Sequence, residues 1–506
     1  MQAGEPRRAV TNSLISPLAV RTPDELTPQQ MQMTVTHVDD DTNVTTRMVL
    51  LELRFNPGDN PKAVNDRFKK LWDTVFSGAS APPRPTVIAR HYWRCVLSSE
   101  QMRALATADV AAAESSTPPG VPSIYRIWPD YVMRGHLDRS VTTVKADAAV
   151  RTYGCGGSGI VWAVLDSGID SKHPHFARYG NLTDPLVKRW HRDFTVGNTT
   201  RGGPLTDVHG HGTHVAGIIA GVAPDDEKLL IASNEPTDQD LPRWALRTLE
   251  PGTTLSGVAP QTKLVSLKVL DDDGNTVSSA VLDAIDWVRR INSGGRTVQI
   301  HGVNLSLGSD WPPSDCAAGQ SPICRELDLL AATGVVVVVS AGNAGAAGTL
   351  SGPSSDVRGQ LSTITDPGNA ASAITVGSVH RYKPHTYGVS FDSSKGPTLD
   401  GRKKPDLVAP GERITSAATG SFVAGVDVLA PHDTKHLARY REDSGTSMAA
   451  AHVSGAISAF MSARTEYIGQ PQLIKQLLMD SATDLGRHEF YQGAGLIDLM
   501  RALSNV

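Results

Sequence analysis

Three short segments of the chain carry side chains that together can cleave an acyl bond. The segment VLDSG ends an apolar run on Asp166, the segment HGTHVAG begins with His211, and the segment GTSMA carries Ser447. A serine hydroxyl is a weak nucleophile until a base takes its proton, and a histidine of near-neutral pKa can accept that proton and return it. An aspartate on the other ring nitrogen orients the imidazole and stabilises its charged form. The segments therefore predict catalysis by Ser447, with His211 as general base and Asp166 as its partner.

Negative charge that develops on a substrate oxygen needs hydrogen-bond donors, and two segments can supply them. The helix that begins at Ser447 presents backbone N–H groups at its start. Asn343, in the segment SAGNAG, follows a run of valines and can direct its amide at the same oxygen. We therefore predict that Asn343 and this helix start form an oxyanion site.

An extended peptide can bind by adding a strand to an exposed sheet edge. The segment NLSLG, which contains Ser306, Leu307 and Gly308, has the character of such an edge. Ala341 and Gly342, just before the asparagine, bound the same pocket. These five residues are the predicted substrate contacts.

Each segment also has an ordinary structural explanation. Asp-Ser-Gly and an asparagine beside glycine are common in turns, and Gly-Thr-Ser is a common helix cap. His211 and His214 can form a metal pair, but no third ligand cluster is spaced to complete a metal site. The occurrence of all these segments in one chain, each on an element suited to its role, favours the catalytic interpretation.

Composition limits the class of protein. The chain has 506 residues, which suggests two or three structural units, and its net charge of −4 argues against a basic surface for nucleic acid. No apolar run reaches membrane-spanning length, and no signal peptide is visible, so a cytoplasmic location is expected unless a leader has been removed. Cys95 and Cys155 are predicted as isolated buried thiols. Cys316 and Cys324 can pair only in an oxidising compartment.

Hydrophobic periodicity divides the chain into three regions. Residues 1–40 are polar without a period and are predicted as a flexible extension. Residues 41–134 follow a β-α-β-β-α-β order, which predicts a ferredoxin-like α+β domain. Residues 140–506 alternate near-continuous apolar strands with helices, which predicts an α/β domain whose parallel sheet is covered on both faces. Two polar stretches within it, 222–255 and 417–443, are predicted as surface loops.

Over roughly residues 140–500 these segments resemble those of subtilisin-family serine proteases. The matching segments are DSGID at 166–170, HGTHVAG at 211–217, GVAP at 257–260, SLG at 306–308, AGN at 341–343, KPDLVAPG at 404–411 and GTSMA at 445–449. The resemblance implies a three-layer α/β/α fold and endopeptidase activity on proteins or peptides through an acyl-enzyme, without a cofactor. It also implies that Asp166, His211 and Ser447 form a triad, that Asn343 is the oxyanion donor and that His214 is structural.

The N-terminal region resembles the propeptide of that family, a small inhibitor and folding chaperone of its own enzyme. This resemblance places self-cleavage near Met133 to Leu137. A permanent accessory domain is the alternative, and activation by a partner that displaces residues 36–134 is a third hypothesis.

The chain departs from the family pattern at two places. Ala450 and Ala451 replace a Ser-Pro pair, which leaves a peptide ligase as an alternative to a protease; a peptide-binding pseudoprotease is another. The segment His173-Pro174-His175 lacks the acid that the family uses as a calcium ligand, so calcium is not supported at that position. We predict no metal site, and the acidic segment DDDG at 271–274 is predicted as a solvated turn.

Overall fold

The computed structural model describes most of the chain in two compact units, Met1–Met133 and Arg134–Val506. The described residues are 36–38, 45–54, 60–78, 82–89, 92–116, 121–129, 135–136, 140–196, 202–225, 229–235, 243–247, 249, 253–309, 317–347, 358–423 and 439–505. The predicted cleavage region near 133–137 therefore lies largely outside them.

The N-terminal unit is a five-stranded antiparallel sheet with two helices. Its elements are β1 (Thr36–Val38), β2 (Thr45–Leu53), α1 (Pro61–Val75), β3 (Thr86–Ala89), β4 (Tyr92–Ser98), α2 (Ser99–Glu114) and β5 (Ile124–Pro129). The strands lie in the order β3-β4-β2-β5, and β1 pairs with the start of β2. From β2 to β5 this is the predicted ferredoxin-like order. β1 lies inside the region predicted as an extension. The sequence does not indicate this strand, because three residues are too few to show a period.

Both helices of this unit begin directly after a capping residue. Asn60 Oδ1 accepts a hydrogen bond from the N–H of Lys62 at 3.0 Å. Ser98 and Gln101 form a reciprocal capping box, in which each side chain accepts from the other's backbone N–H. The apolar side chains of α1 and α2 pack against those of β2, β4 and β5 in a separate hydrophobic core.

The second unit is built on a parallel sheet. The strands of the unit are β6 (Gly135–His136), β7 (Val161–Asp166), β8 (Arg192–Asp193), β9 (Leu230–Glu235), β10 (Arg243–Arg247), β11 (Thr253–Thr254), β12 (Lys263–Lys268), β13 (Gly302–Leu305), β14 (Val336–Ser340), β15 (Ala346–Ala347), β16 (Arg358–Gly359), β17 (Ile374–His380), β18 (Leu407–Glu412), β19 (Ile414–Ala417) and β20 (Arg439–Asp443). The parallel sheet has seven strands in the order β18-β17-β14-β13-β7-β12-β8. Its helices are α3 (Ser140–Thr143), α4 (Ala146–Tyr153), α5 (His211–Ile219), α6 (Ser278–Ile291), α7 (Pro322–Ala332), α8 (Pro384–Tyr387), α9 (Thr446–Ala463), α10 (Pro471–Ser481), α11 (Glu489–Gln492) and α12 (Leu499–Ser504).

Alternate residues of the central strand β7 enter different cores. Trp162 and Val164 pack in the cluster that contains α5 and α9, whereas Ala163 and Leu165 pack in the cluster that contains α6 and α7. Burial on both faces is what a parallel sheet between two helical layers requires. The three-layer α/β/α prediction is confirmed.

The surface-loop prediction for 222–255 and 417–443 is wrong for part of each stretch. Strands β9 and β10 form a hairpin, and β9 also pairs with β20, which completes a second sheet in the order β10-β9-β20-β19. Ile231 and Tyr440 are fully buried in it. Glu442, 1% exposed, accepts from three arginines: Arg247, Arg381 and Arg413. Neither stretch alone shows a strand pattern, because β9 and β20 pair across a separation of 209 residues (Leu230 with Arg439).

Cys95 and Cys155 are buried free thiols, as predicted, and burial raises the pKa of Cys155 to about 12. Cys324 is also buried and free, while Cys316 lies outside the described residues. Within the described part of the chain, none of the helices combines the length and apolar character needed to cross a bilayer.

Candidate active site

The predicted catalytic side chains lie at the carboxyl ends of strands and at the starts of helices. Asp166 is the last residue of β7, His211 is the first residue of α5, and Ser447 is the second residue of α9. Ser306 directly follows β13, which neighbours β7 in the sheet. The carboxyl edge of a parallel sheet is where such folds place their ligands, and here it brings together segments that are far apart in the chain.

Asp166 and His211 are joined by a hydrogen bond of 2.8 Å between Oδ1 and Nδ1. Asp166 is 1% exposed, and its Oδ1 also accepts from the N–H of Ser167 at 2.8 Å. Because an ionised carboxylate only accepts, the proton of the imidazole lies on Nδ1. The Nε2 atom of His211 is thereby left as the basic nitrogen.

The pKa of His211 reflects opposing effects. Burial favours the neutral ring and lowers the pKa, but the charge and hydrogen bond of Asp166 outweigh it, with smaller contributions from Asp443 and Asp207. The result raises the pKa of His211 to about 9. The side chain remains 16% exposed, so the ring is open to a reacting group.

A buried carboxylate that the sequence analysis missed connects the aspartate and histidine segments. Asp207 accepts hydrogen bonds from the Ser167 hydroxyl at 2.9 Å, from the N–H of Gly210 at 2.7 Å and from both the N–H and the hydroxyl of Thr213. The Ser167 hydroxyl in turn accepts from the N–H of Gly212 at 2.9 Å. Burial raises the pKa of Asp207, and its hydrogen bonds oppose that rise. An acidic residue four positions before the histidine was the available signal.

Ser447 is 9% exposed and makes a different contact from the one a triad implies. Its hydroxyl donates to the carbonyl oxygen of Ser306 at 3.3 Å, and the Ser306 hydroxyl donates to the carbonyl of Ser447 at 3.2 Å. Among the described residues, no hydrogen bond joins Ser447 to His211. Catalytic hydrogen bonds are often long or unmade before substrate arrives, and the contact with Ser306 holds Ser447 at the sheet edge that also carries Asp166.

Asn343 is held by its oxygen. The N–H and the hydroxyl of Thr446 donate to Asn343 Oδ1 at 3.0 and 3.1 Å. A backbone N–H can only donate, so the atom that faces it must be the amide oxygen. A Cβ placed on Gly445 would lie 3.3 Å from Asn343 Nδ2, which puts the amide NH2 group beside the loop that precedes Ser447.

A cleft of about 630 Å³ is lined by His211 together with Ser306, Leu307 and Gly308. Ser306 is buried, Leu307 is partly buried and Gly308 is exposed, so the backbone of this segment reaches the surface. Ala341 and Gly342 are not among its lining residues. Ala341 is fully buried and its N–H donates to Val376 inside the sheet.

Three further histidines near the site have structural contacts. His214 is fully buried, its Nε2 lies 3.0 Å from the carbonyl of Arg441, and burial lowers its pKa to about 4. In the segment 173–175, which lacks the family's acidic calcium ligand, His173 Nε2 lies 2.9 Å from a backbone carbonyl, and His175 Nε2 lies 3.1 Å from another. Within the described ranges, no three His, Cys, Asp or Glu side chains lie together in a way that would hold a metal ion.

Residues 157–495 match the model of the subtilase family. Subtilisin E of Bacillus subtilis (strain 168) is 28% identical to the chain over 384 residues, which cover 75% of this chain and 76% of subtilisin E. The serine protease AprX of the same strain is 26% identical over 382 residues, covering 74% of this chain and 73% of AprX. Pyrolysin of Pyrococcus furiosus is 32% identical over 334 residues, or 58% of this chain and 21% of pyrolysin. Because the family match spans more than half of the 506 residues, the chain belongs to the subtilase family and is a serine protease.

Proposed function

We propose that the chain hydrolyses internal peptide bonds through an acyl-enzyme on Ser447, with His211 as general base, Asp166 as its partner and Asn343 as oxyanion donor. The observation that carries this proposal is the 2.8 Å hydrogen bond between Asp166 and His211, at the sheet edge where Ser447 also lies. That bond fixes the imidazole so that Nε2 is available to take a proton.

In the proposed reaction, Ser447 Oγ attacks the substrate carbonyl carbon while its proton passes to His211 Nε2. The substrate oxygen becomes negatively charged and receives hydrogen bonds from the Asn343 amide and from the first turn of α9. His211 then gives its proton to the leaving amine, and the acyl-enzyme is hydrolysed by a water that His211 activates. These protein groups supply nucleophile, base and donors, so the reaction as proposed needs no cofactor.

The substrate is proposed to bind as an extended strand along Ser306–Gly308. Gly308 and the next residue, Ser309, are exposed, and Ser309 pairs with Asp366 through two backbone hydrogen bonds of 2.9 and 3.2 Å. This pairing fixes the end of the segment, and Ser309 and Asp366 also line the cleft. Ala341 and Gly342, predicted as contacts, act in this proposal only by holding the backbone before Asn343.

A fluorophosphonate probe tests the nucleophile, because it labels only a serine activated by a neighbouring base. We expect the wild-type protein to be labelled and Ser447→Ala to be unlabelled. The exposed Ser444, three residues earlier, provides the matched control, and Ser444→Ala should label as wild type does. Failure of the wild type to react, even after limited trypsinolysis to remove the N-terminal unit, would favour a protein that captures peptides without cutting them.

The N-terminal unit is proposed to be an intramolecular inhibitor that the enzyme removes from itself. Its support is the ferredoxin-like sheet order and the division of the chain after Met133. Intact-mass measurement and N-terminal sequencing should find a new N-terminus near residues 133–137 in the wild type, and the uncut chain in Ser447→Ala. An uncut wild-type chain with full activity would instead identify a permanent accessory domain. The cytoplasmic location stays a prediction.

A further inference from the structure

The ammonium group of Lys395 is buried beside the segment that carries Asn343. Lys395 is 3% exposed, and its Nζ donates to three backbone carbonyl oxygens, those of Gly345 at 2.9 Å, Phe391 at 2.7 Å and Ser393 at 2.9 Å. An ammonium has three N–H donors, so these contacts use its full capacity. The ring centres of Phe391 and Tyr491 lie 5.9 and 5.6 Å from Nζ, within the range of cation–π attraction.

This cation is held by dipoles and ring faces rather than by a partner of opposite charge. Among the described ion pairs, none includes Lys395, although Asp392 is near enough to favour its charged form. Burial lowers the pKa of Lys395. Removing an ammonium from water is costly unless its protons are all satisfied. Three converging carbonyl groups are the arrangement that meets this requirement.

Lys395 and the preceding Ser394 hold both sides of the backbone at Asn343. The N–H of Ser394 donates to the carbonyl of Gly342 at 2.9 Å, and its hydroxyl accepts from the N–H of Ala344 at 3.1 Å. The Lys395 ammonium donates to the carbonyl of Gly345, two residues after Asn343. A Cβ on Gly345 would lie 1.9 Å from the Ser393 oxygen and 2.5 Å from Nζ, so only glycine allows this approach.

We propose that Lys395 is a positioning residue for the oxyanion site, because its ammonium fixes the backbone on which Asn343 is carried. The inference rests on the proposed role of Asn343. Without the ammonium, three carbonyl oxygens would face one another with no donor between them. Their mutual repulsion would move Gly345 and change the direction of the Asn343 amide, which must meet the reacting oxygen closely to be effective.

The same geometry predicts chemical rescue. A Lys395→Ala variant leaves three carbonyl oxygens around a space that an ammonium group had occupied, and clusters of backbone carbonyls also bind K⁺. Added NH4⁺ or K⁺ should therefore enter this space and restore the backbone. Tetramethylammonium is too large and cannot donate hydrogen bonds, so it controls for ionic strength.

The test compares kcat and KM for wild type, Lys395→Ala, Asn343→Ala and the double variant, on one peptide p-nitroanilide taken from the best-cleaved sequence of a peptide library. We expect Lys395→Ala to lose about tenfold in kcat with KM changed less than about twofold, as for a donor felt mainly in the transition state. In the Asn343→Ala background the same change should cost less than about twofold, because the two residues act as one unit. NH4⁺ or K⁺ should restore kcat in Lys395→Ala only. Lys383→Ala, which removes an exposed lysine that lies over the Tyr382 ring, should behave as wild type.

The outcomes separate this inference from the proposed function. If Asn343→Ala keeps the wild-type kcat, the assignment of the oxyanion donor is wrong. If Asn343→Ala is impaired but the two changes multiply, or if tetramethylammonium rescues as well as NH4⁺, Lys395 has no positioning role. If Lys395→Ala does not fold, Lys395→Met keeps the apolar stem without the charge. That variant should show the same loss in kcat without rescue, and wild-type kcat in it would overturn the proposal.

Discussion

Replacing Asp166 with asparagine removes the charge that raises the pKa of His211 while keeping the contact. Oδ1 of Asp166 accepts from His211 Nδ1 and from the N–H of Ser167, both at 2.8 Å, and an amide oxygen can accept both bonds. The charge is lost and the shape is kept. Burial, which lowers the pKa of His211, is then no longer outweighed, so the pKa should fall from about 9 to below the usual 6.5.

The size of the effect follows from that change. A rise from 6.5 to about 9 means that the folded site favours the imidazolium by about 3 kcal/mol, at about 1.4 kcal/mol per pKa unit. His211 becomes an imidazolium in the transition state, so losing this preference should lower kcat/KM roughly 300-fold. An asparagine can also stabilise the wrong imidazole tautomer, and the same substitution in a related triad lowers kcat by about 10⁴-fold.

The measurement is kcat/KM against pH for both proteins, with active-site concentration fixed by fluorophosphonate titration. The wild-type profile should rise with pH and level off at an apparent pKa above 6.5 and up to about 9, because only neutral His211 can act as base. For Asp166→Asn, the plateau should be 300-fold to about 10⁴-fold lower, and the rise should occur below pH 6.5. A wild-type rise at or below pH 6.5, or an unchanged inflection in the variant, would refute the electrostatic argument.

Three further predictions test the surroundings of the site. Burial lowers the pKa of His175 to about 3 and that of His214 to about 4, so the unfolded chain binds more protons than the folded chain below pH 6.5. The free energy of unfolding of Ser447→Ala, measured in urea, should therefore fall by about 2 kcal/mol per histidine between pH 6.5 and pH 5. Equal unfolding midpoints at the two pH values would contradict this. Replacing Glu442 with alanine leaves three arginines around an empty position, so the free energy of unfolding in the same assay should fall by about 3–5 kcal/mol. A fall below about 1 kcal/mol would show that the cluster is exposed to water. Asp443→Asn should move the rise of the kcat/KM profile to lower pH and lower its plateau by no more than about tenfold per pKa unit of that shift, because the carboxylate acts on His211 only through its charge. A plateau that falls by clearly more than this factor would indicate a direct role.

The sequence was informative wherever one element decides the position of a side chain. The apolar run up to Leu165 predicts a strand that is covered on both faces, and the structure confirms it, with Asp166 at the carboxyl end of β7. His211 opens a helix whose remaining eight residues are all buried, which fixes the direction in which its first side chain points. The convergence of the aspartate and the histidine was predicted from the motifs around them together with the elements on which they lie.

Contacts between distant backbone atoms were not predictable from the sequence. Lys395 has the appearance of an ordinary lysine in a polar segment, because only the fold brings the carbonyl of Gly345, 50 residues away, to the local carbonyls of Phe391 and Ser393. For Ala341, the position before Asn343 suggested a substrate contact. In the structure the residue is fully buried, and its N–H donates to the carbonyl of Val376. In both cases local sequence carries no signal for which carbonyl or side chain lies opposite.

The second sheet, in the order β10-β9-β20-β19, contributes to the surroundings of His211. The guanidinium of Arg441, on β20, lies 4.7 Å from the ring centre of Trp244 on β10 and 4.3 Å from that of Phe422. The Phe422 ring in turn lies 6.3 Å from that of His211, nearly perpendicular to it. The same strand β20 ends in Asp443, whose charge helps to raise the pKa of His211. Because one strand carries both the packing and the charge, a change in the hairpin that displaces β20 must alter the pH at which the histidine acts as a base.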